Sequence, residues 1–393
     1  MIYRTNPKNG DRISQLAFGC MRLPKKDVEK CRRLIDTAIE NGVNYFDTAW
    51  FYPGNEVLLS DILVGPYRDR INLTSKLPML MVKRAEDFDK YFNSTLQRLG
   101  TDRIDYYLLH MLTSFDYFER FRQMGVLEWA EKQKAVGRIR NFGFSFHGNT
   151  GSFQKIIDAY DWDFCMIQYN YLDTDRQAGT AGLKHAAAKG MPVMIMEPLR
   201  GGKLAVVPKE AQDVFEAAVP LRTPAEWGIR WVMNHPEVLT VLSGMNEPDQ
   251  LTGNLKTASE MEAGAMTEAE LAAIAQAKEI ILSKTKVPCT GCEYCLPCPK
   301  NVAIPTVFRF WNGTGLADTS RHYNDFQYTL DLGILSPTKG YASQCVSCGA
   351  CKTKCPQQID IPAEIKKASK DLDHAWMKAA AKIARPFMQG KRR

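Results

Sequence analysis

The chain has 393 residues, of which 45% are hydrophobic and 24% are charged, a composition typical of a globular protein of about two or three domains. It contains no run of 18 uncharged apolar residues, and its first ten residues lack the apolar core of a signal peptide. We therefore expect neither a transmembrane segment nor secretion. The net charge of +7 lies entirely in residues 366–393, and the neutral remainder argues against a nucleic-acid-binding protein.

The chain opens with residues 2–18, which alternate in polarity around Asn9-Gly10, a dipeptide that readily takes the positive φ angles of a tight turn. We predict a short β-hairpin there. Eight apolar runs with the character of strands alternate with stretches of helical periodicity. These runs lie at residues 16–19, 43–47, 71–75, 104–109, 139–145, 164–169, 192–196 and 238–243. Because no GxGxxG turn follows the first run, the pattern predicts an α/β protein with a closed parallel (β/α)8 TIM barrel.

The last barrel helix, predicted around residues 268–282, is followed by a short linker at 284–288. Beyond it the chain contains an internal repeat, because the eight residues from Cys298 match the eight from Cys355 in length and pattern. The three predicted segments are the barrel at 1–283, a second, mainly α-helical domain at 284–365, and a basic amphipathic C-terminal helix at 366–393.

The C-terminal segment carries apolar residues at spacings of three and four, which predicts a helix with one apolar stripe. The stripe consists of Ile365, Ala368, Leu372, Trp376, Ala379, Ile383 and Phe387. Docking of this stripe on the protein body is the favoured interpretation. Binding of an acidic electron carrier and weak binding to an anionic membrane surface are the alternatives.

Four polar residues fall at or just after the ends of successive barrel strands, where the loops share one mouth: Asp47, Tyr52, Lys76 and His110. This set suits carbonyl reduction, in which hydride reaches carbon and an acid gives a proton to oxygen. Tyr52 would be the acid, with its pKa lowered from about 10 by the Lys76 ammonium. Asp47 would hold Lys76, and His110 would orient the substrate oxygen. Each residue taken singly has a structural interpretation, but their coincidence at one mouth favours catalysis.

Residues 1 to about 283 resemble the aldo-keto reductase family. The resemblance rests on the hairpin with LAFGCMRLP, on NYFDTAWFYPGNE, TSK and DYYLLH, which contain the four residues above, and on VLSGMNEPDQLTGNL late in the barrel. It implies a nicotinamide cofactor across the barrel mouth and a small carbonyl substrate. Arg22 is a candidate partner for a substrate carboxylate, with a structural ion pair as the alternative.

The resemblance also implies the cofactor contacts. Ser145 and Gln168 match the positions that hold the carboxamide, although Phe146 stands where many members have Asn, and a turn hydrogen bond is the structural alternative. Other matches are the pyrophosphate positions Leu199, Arg200, Gly201, Gly202, Gly244 and Met245, the 2′-phosphate positions Gly244, Met245 and Gln250, and the adenine-end position Asn254. None of the three 2′-phosphate positions carries a charge. The sequence therefore leaves the choice between NAD and NADP open.

Eight of the eleven cysteines crowd into two sets with CxxC spacing, which predicts metal or redox chemistry in a reducing cytoplasmic compartment. The second set has the spacing of a bacterial two-cluster ferredoxin, in which the fourth cysteine of one set binds the other cluster. We assign one 4Fe-4S cluster to Cys289, Cys292, Cys295 and Cys355, and the other to Cys345, Cys348, Cys351 and Cys298. Two zinc sites are the alternative. The long gap between the sets resembles the helical two-cluster ferredoxins.

Together these features predict a cytoplasmic oxidoreductase that uses NADP or NAD to reduce a carbonyl or oxidise an alcohol. A nicotinamide moves two electrons as hydride and a cubane moves one, so coupling would require an FMN or a ferredoxin- or flavodoxin-type partner. The clusters could instead be structural. The rival hypothesis is an electron-transfer or redox-sensing protein whose barrel binds nicotinamide or flavin without carbonyl turnover.

Overall fold

The computed structural model describes residues 1–316, 321–336 and 339–388. The chain forms two compact units: the first consists of residues 1–199 and 225–271, the second of residues 200–224 and of the chain from 272 onward. The sequence pattern assigned residues 200–224 and 272–283 to the barrel domain, whereas the structure groups them with the second unit. This grouping follows from contacts between segments distant in sequence, such as the ion pair of Glu210 with Lys284.

The first unit is built around a closed barrel of eight parallel strands, which confirms the predicted α/β barrel. A two-stranded antiparallel hairpin, β1 with β2, precedes it and turns at Gly10, whose φ is 78°. The barrel closes because β10 pairs with β3. The strands are β1 Tyr3–Thr5, β2 Arg12–Ser14, β3 Leu16–Gly19, β4 Tyr45–Asp47, β5 Asn72–Leu77, β6 Ile104–Leu112, β7 Ile139–Phe146, β8 Phe164–Gln168, β9 Val193–Met196 and β10 Val238–Ser243.

Helices follow the barrel strands, as the alternating pattern predicts. The helix Val28–Glu40 illustrates why: the Asp27 side chain caps its first turn, its buried residues recur at spacings of three and four, and Gly42 with φ of 88° follows its end. The helices up to the linker are α1 Val28–Glu40, α2 Asn55–Leu59, α3 Gly65–Tyr67, α4 Glu86–Leu99, α5 Phe115–Gln123, α6 Val126–Ala135, α7 Thr150–Asp158, α8 Gly179–Ala188, α9 Lys209–Ala217, α10 Pro224–Met233, α11 Pro248–Glu260 and α12 Glu268–Lys284.

Large side chains fill the barrel interior. Tyr45, Tyr106 and Phe164 pack on one another there with ring centroids 5.2 to 5.3 Å apart, and Met194 accepts a hydrogen bond from the Tyr45 hydroxyl. The barrel is therefore a packed core, and polar groups with access to a ligand are confined to its ends.

The second unit has its own apolar core. Two helices supply most of it, α13 Ile304–Leu316 and α15 Ile361–Leu372. A third, α14 Arg321–Thr329, adds Tyr328, and a fourth, α16 Ala375–Met388, follows α15. The core brings together Val307, Phe308, Tyr328 and Ile365, and five cluster-assigned cysteines pack against it as partly buried neighbours. This arrangement fixes the two cysteine sets to one helical scaffold.

The C-terminal stripe differs from its prediction. The chain forms two helices, α15 and α16, because Asp373 and His374 interrupt the helical path. Ile365, Ala368 and Leu372 on α15 are buried as expected, but on α16 Trp376 is 67% exposed, and Ala379 and Ile383 are also exposed. The interruption rotates α16 so that it buries Met377 and Ala381 instead. The side chain of Phe387 and residues 389–393 lie outside the described part of the chain.

Candidate active site and cluster sites

The four predicted catalytic residues lie at the C-terminal ends of neighbouring barrel strands. Asp47 ends β4, Lys76 is the penultimate residue of β5, and His110 lies near the end of β6. Tyr52 lies in the loop between β4 and α2, where its amide donates to the Ala49 carbonyl. Since β4, β5 and β6 are successive parallel strands of the barrel, the structure brings these residues to one mouth.

Lys76 and Asp47 form a buried ion pair. The Lys76 ammonium donates to both carboxylate oxygens, at 2.6 and 2.7 Å, and to the Thr48 carbonyl at 2.7 Å. Only 2% of the Lys76 side chain is exposed. Burial lowers the pKa of Lys76 and raises that of Asp47, and each partner's charge opposes the shift of the other. Three acceptors therefore hold the ammonium in one position.

Tyr52 lies beside this pair. The Lys76 ammonium is 5.2 Å from the centroid of its ring, and the ring of His110 lies edge-on at 6.3 Å. The expected lowering of the Tyr52 pKa is not found. Burial raises the pKa of Tyr52 well above its ordinary value, with further contributions from Asp47, Cys20 and Glu197. The physical reason is the loss of solvation of the phenolate on burial, to which the Asp47 carboxylate adds repulsion.

His110 is buried, and among the described residues its Nδ1 has no hydrogen-bond partner. Burial lowers the pKa of His110 well below its ordinary value, and Lys76 and His147 lower it further. The imidazole is therefore neutral at neutral pH and can donate one hydrogen bond from its N–H. The ring of Phe51 lies 5.7 Å away and covers one side of it.

A β-bulge sets the end of β6. Between Leu109 and Leu112 the strand holds one residue more than its neighbour β7, and Met111 has a positive φ of 64°. The Met111 amide donates to the Ser145 hydroxyl at 2.8 Å, which pins the bulge. Such bulges redirect side chains near active sites, and this one fixes the position of His110. The sequence analysis did not predict this bulge, because no residue type around Met111 is typical of one.

The two predicted carboxamide residues are buried and hydrogen-bonded within the protein. Ser145 accepts from Met111, which leaves its hydroxyl hydrogen for a ligand. Gln168 donates to Asp173 at 2.9 Å and accepts from Gln177 at 2.6 Å. The Ser145 hydroxyl thus keeps its donor function, whereas Gln168 belongs to a polar network. Asp173 and Gln177 were not singled out from the sequence, although they lie within one polar stretch after β8.

The predicted nucleotide positions after β10 mostly stabilise their own loop. Gln250 accepts from the Asn246 amide at 3.0 Å, Asn254 donates to the Ser243 hydroxyl at 3.0 Å, and Met245 is buried. A Cβ built on Gly244 would lie 3.7 Å from Cδ of Arg22. An exposed basic side chain, Arg22, therefore packs against this loop, a neighbour that the sequence could not reveal.

The other predicted pyrophosphate segment follows β9. Leu199 belongs to the first unit, whereas Arg200, Gly201 and Gly202 belong to the second. The last three residues have successive positive φ angles of 51°, 72° and 92°, a backbone path of the kind in which consecutive N–H groups can surround an anion. The Arg200 side chain donates to the Pro288 carbonyl at 3.1 Å, and the Lys203 ammonium bonds the Cys289 carbonyl. This loop is thus attached to the start of the first cysteine set.

The eight cysteines gather around two cavities in the second unit. One cavity is lined by Cys289, Cys292, Cys295 and Cys355. The other is lined by Cys298, Cys345, Cys348 and Cys351, with Cys295 at its edge. Burial and the neighbouring thiols raise the pKa of Cys295 to about 12. Each cavity is therefore lined by cysteines from both sets, and Cys295 lines both cavities.

The grouping of the thiols around two cavities fits two cubanes better than two zinc ions. A tetrahedral zinc site needs four sulfurs about 2.3 Å from one point. Among residues 1–316, 321–336 and 339–388, no three Cys, His, Asp or Glu side chains converge on a single metal position. A cubane instead presents four irons at separate corners, so its thiolates surround a cavity, as they do here. Cys348 is the exposed member of the eight, and Cys295 is the most buried.

Comparisons with known proteins also separate the barrel from the cysteine-containing region. The sequence profile of the aldo/keto reductase family matches residues 15–279, and that of a 4Fe-4S dicluster domain matches residues 288–359. The uncharacterized oxidoreductase YqkF of Bacillus subtilis is 26% identical over 293 residues, which are 67% of this chain and 92% of the relative. The NADH-specific methylglyoxal reductase of Escherichia coli is 23% identical over 270 residues, 56% of this chain and 81% of that protein.

A solved structure gives the same result for the barrel. The aldo-keto reductase AKR11C1 from Bacillus halodurans, in its holo form, superposes with a TM-score of 0.60 and 25% identity over 70% of this chain and 96% of its own. The matching profile covers well over half of the chain, and the matched region contains Asp47, Tyr52, Lys76 and His110. The chain therefore belongs to the aldo/keto reductase family and carries a C-terminal 4Fe-4S dicluster domain.

Proposed function

We propose that the protein is a nicotinamide-dependent oxidoreductase that reduces the carbonyl of a small molecule and, in reverse, oxidises the alcohol. The observation that carries the proposal is the convergence of Tyr52, His110 and the buried Lys76–Asp47 pair at one barrel mouth. A bound nicotinamide would supply or accept the hydride. The protein's own residues would orient the substrate oxygen and move its proton.

Tyr52 is the proposed proton donor. Its raised pKa keeps the phenol protonated at neutral pH, which is the form that an acid requires. Neutral His110 would donate a hydrogen bond from its N–H to the same carbonyl oxygen. As hydride reaches carbon, the oxygen gains negative charge and the Tyr52 hydroxyl proton passes to it. In alcohol oxidation the phenolate takes that proton back.

We propose that Ser145 contacts the carboxamide of the nicotinamide, since its hydroxyl hydrogen is available, and that Gly201 and Gly202 approach the pyrophosphate through their backbone. The uncharged side chains at Gly244, Met245 and Gln250 favour NAD, whereas exposed Arg22 beside Gly244 offers a charge to NADP. Steady-state KM values for NADH and NADPH, in the parent protein and in Arg22→Gln, decide between these cofactors.

We further propose that the two cavities hold 4Fe-4S clusters that exchange single electrons with a ferredoxin- or flavodoxin-type carrier in the cytoplasm. A reducing compartment keeps the eight cysteines free of disulfides and available as ligands. Because hydride transfer moves two electrons and each cluster one, a link between the two chemistries requires a one-electron step, such as one at an FMN. An anaerobic titration tests that link: NADH or NADPH is added while the cluster absorption near 400 nm is followed. Bleaching indicates coupling.

The proposal of carbonyl chemistry is tested by Tyr52→Phe, which removes one hydroxyl and keeps the ring. We expect kcat for aldehyde reduction to fall by about 100- to 10,000-fold, while the nucleotide Kd from fluorescence quenching stays within twofold. Tyr67→Phe is the matched control, because Tyr67 donates to Asp36 away from the strand ends. Unchanged turnover in Tyr52→Phe, or no turnover by the parent protein on a panel of aldehydes and ketones, would contradict the proposal.

A further inference from the structure

We propose that the surface around Cys348 is the docking face for an acidic, single-electron carrier protein. We call this surface the Cys348 rim and define it by the cavity-lining residues Lys300, Val346 and Cys348 and by two exposed residues of the same cysteine-containing segment, Ser347 and Lys354. The inference rests on the proposed function only in assuming that the second cavity holds a cluster. It adds to the proposed function the location of the docking surface on this protein and the sign of the charge on the partner.

The first argument is exposure. Electron transfer between proteins slows steeply with distance, so a carrier must approach the cluster ligand that lies nearest the surface. Among the eight cluster-assigned cysteines Cys348 is the exposed one, whereas Cys295 of the other set is buried. The residues just before Cys348 are exposed as well, and a Cβ built on Gly349 would meet no atom within 4 Å. The rim is therefore open to a protein partner.

The second argument is an apolar contact point. Val346 is 58% exposed directly beside Cys348 and lines the second cavity. Protein interfaces commonly combine a small apolar centre with a polar periphery. A single valine is too small an apolar surface to anchor the protein in a lipid bilayer, which favours a protein partner over a membrane.

The third argument is charge. Lys300 lines the second cavity, and none of its lining residues is a carboxylate. Residues 339–359 contain three lysines and no Asp or Glu. Lys352 pairs with Asp360, but in the described part of the chain no carboxylate pairs with Lys300 or Lys354. By contrast, the first cavity has Glu293 in its wall. The wall of the cavity that Cys348 lines thus contains a lysine and no carboxylate, whereas the wall of the other cavity contains a carboxylate and no lysine.

These features select the partner's chemistry. A carrier with an acidic face around its redox centre would be steered toward the rim and would seat on Val346. In the productive encounter one electron leaves the reduced carrier and reduces one oxidised cluster, so the cluster gains the electron that the carrier loses. No further co-reactant is needed for this step.

The test compares Lys300→Glu/Lys354→Glu with Lys132→Glu/Lys256→Glu in the iron-loaded full-length protein. The control pair makes the same charge change at two barrel lysines without a carboxylate partner among the described residues. Purified flavodoxin, chemically reduced, serves as the probe, and stopped-flow absorbance near 400 nm follows cluster reduction. Binding of oxidised flavodoxin, measured by calorimetry, gives a second readout that does not depend on turnover.

We expect the rim variant to lower the second-order rate constant at least tenfold at low salt, with weaker binding, and the difference to shrink at high salt. The control variant should stay within twofold. Equal rates in both variants, or an equal fall in both, would overturn the proposal. So would binding to phosphatidylserine vesicles that the rim variant alone loses while its flavodoxin rate is unchanged. If the purified protein lacks iron, the cluster proposal fails too; normal iron without a rim effect refutes only this inference.

Discussion

The Lys76 ammonium donates to both oxygens of the Asp47 carboxylate, at 2.6 and 2.7 Å, in a site that excludes water almost completely. Tyr52 has its ring centroid 5.2 Å from that ammonium. Its pKa is nevertheless raised, chiefly by burial and further by the Asp47 carboxylate.

The raised pKa of Tyr52 predicts opposite pH dependences for the two directions of catalysis. Reduction needs the protonated phenol, which predominates throughout neutral pH, so kcat/KM for reduction should be flat between about pH 6 and 9. Oxidation needs the phenolate, whose fraction rises about tenfold per pH unit below the pKa. Profiles of log kcat/KM measured in both directions test this. An alcohol-oxidation rate that stays constant over the same range would contradict it.

Asp47→Asn should shift that profile. Removing the carboxylate takes away one cause of the raised pKa of Tyr52 and leaves the Lys76 charge uncancelled. We therefore expect the rise in alcohol oxidation to move to lower pH in the variant that remains folded. Asp69→Asn, an exposed change, is the control. A fall in activity without any displacement of the pH profile would assign Asp47 a purely structural role.

The same ion pair predicts non-additive stability. Asp47→Leu or Lys76→Met alone leaves a buried charge without its partner, which typically costs about 3–5 kcal/mol. We expect each single variant to lower the apparent Tm by roughly 10 °C. The double variant removes both charges and should be no less stable than either single variant. Thermal scans at one protein concentration test this, and simple addition of the two losses would contradict it.

Acid should destabilise the barrel through its buried imidazoles. Burial lowers the pKa of His147 to about 4 and that of His110 well below its ordinary value. The unfolded chain therefore takes up protons near pH 6.5 while the folded chain does not, so stability is present above that pH and falls toward pH 4. His147 alone accounts for about 3 kcal/mol of this loss. The Tm of His147→Gln should fall less over that interval than the Tm of the parent protein.

The crossed cysteine assignment predicts the iron content of double variants. Cys289→Ala/Cys355→Ala removes two ligands of the same cavity and should leave the other cluster, so about half of the iron remains. Cys289→Ala/Cys298→Ala damages both cavities and should remove nearly all of it. Iron and sulfide analysis after anaerobic reconstitution distinguishes these outcomes. The reverse order of the two iron contents would show that each sequence set binds its own cluster.

The barrel could be predicted from the sequence because its determinants are local. Strands such as β9 and β10 are short, mostly apolar runs, and the sequence of α1 contains its capping residue, its apolar stripe and the glycine after its end. The proposed catalytic residues were identifiable for a related reason: Asp47, Lys76 and His110 occupy equivalent places at the ends of their strands, and parallel strands bring equivalent places together.

Other features depend on contacts between distant residues and leave no local signal. The bulge at Met111 requires the Ser145 hydroxyl from the next strand. The pKa of Tyr52 depends on how deeply the folded chain buries the phenol and on the charges around it, and sequence spacing gives neither. The turn of α16 away from the stripe follows from an interruption at Asp373, whose carboxylate accepts from Tyr328, 45 residues earlier.

The attachment of the loop after β9 has a consequence for its sensitivity to proteases. Arg200 and Lys203 bond the carbonyls of Pro288 and Cys289, and Cys289 is the first proposed iron ligand. If iron binds Cys289, it will also restrain the carbonyl that Lys203 bonds, and with it the loop at residues 200–205. We therefore expect a protease to cleave this loop more slowly in the iron-loaded protein than in the iron-free protein.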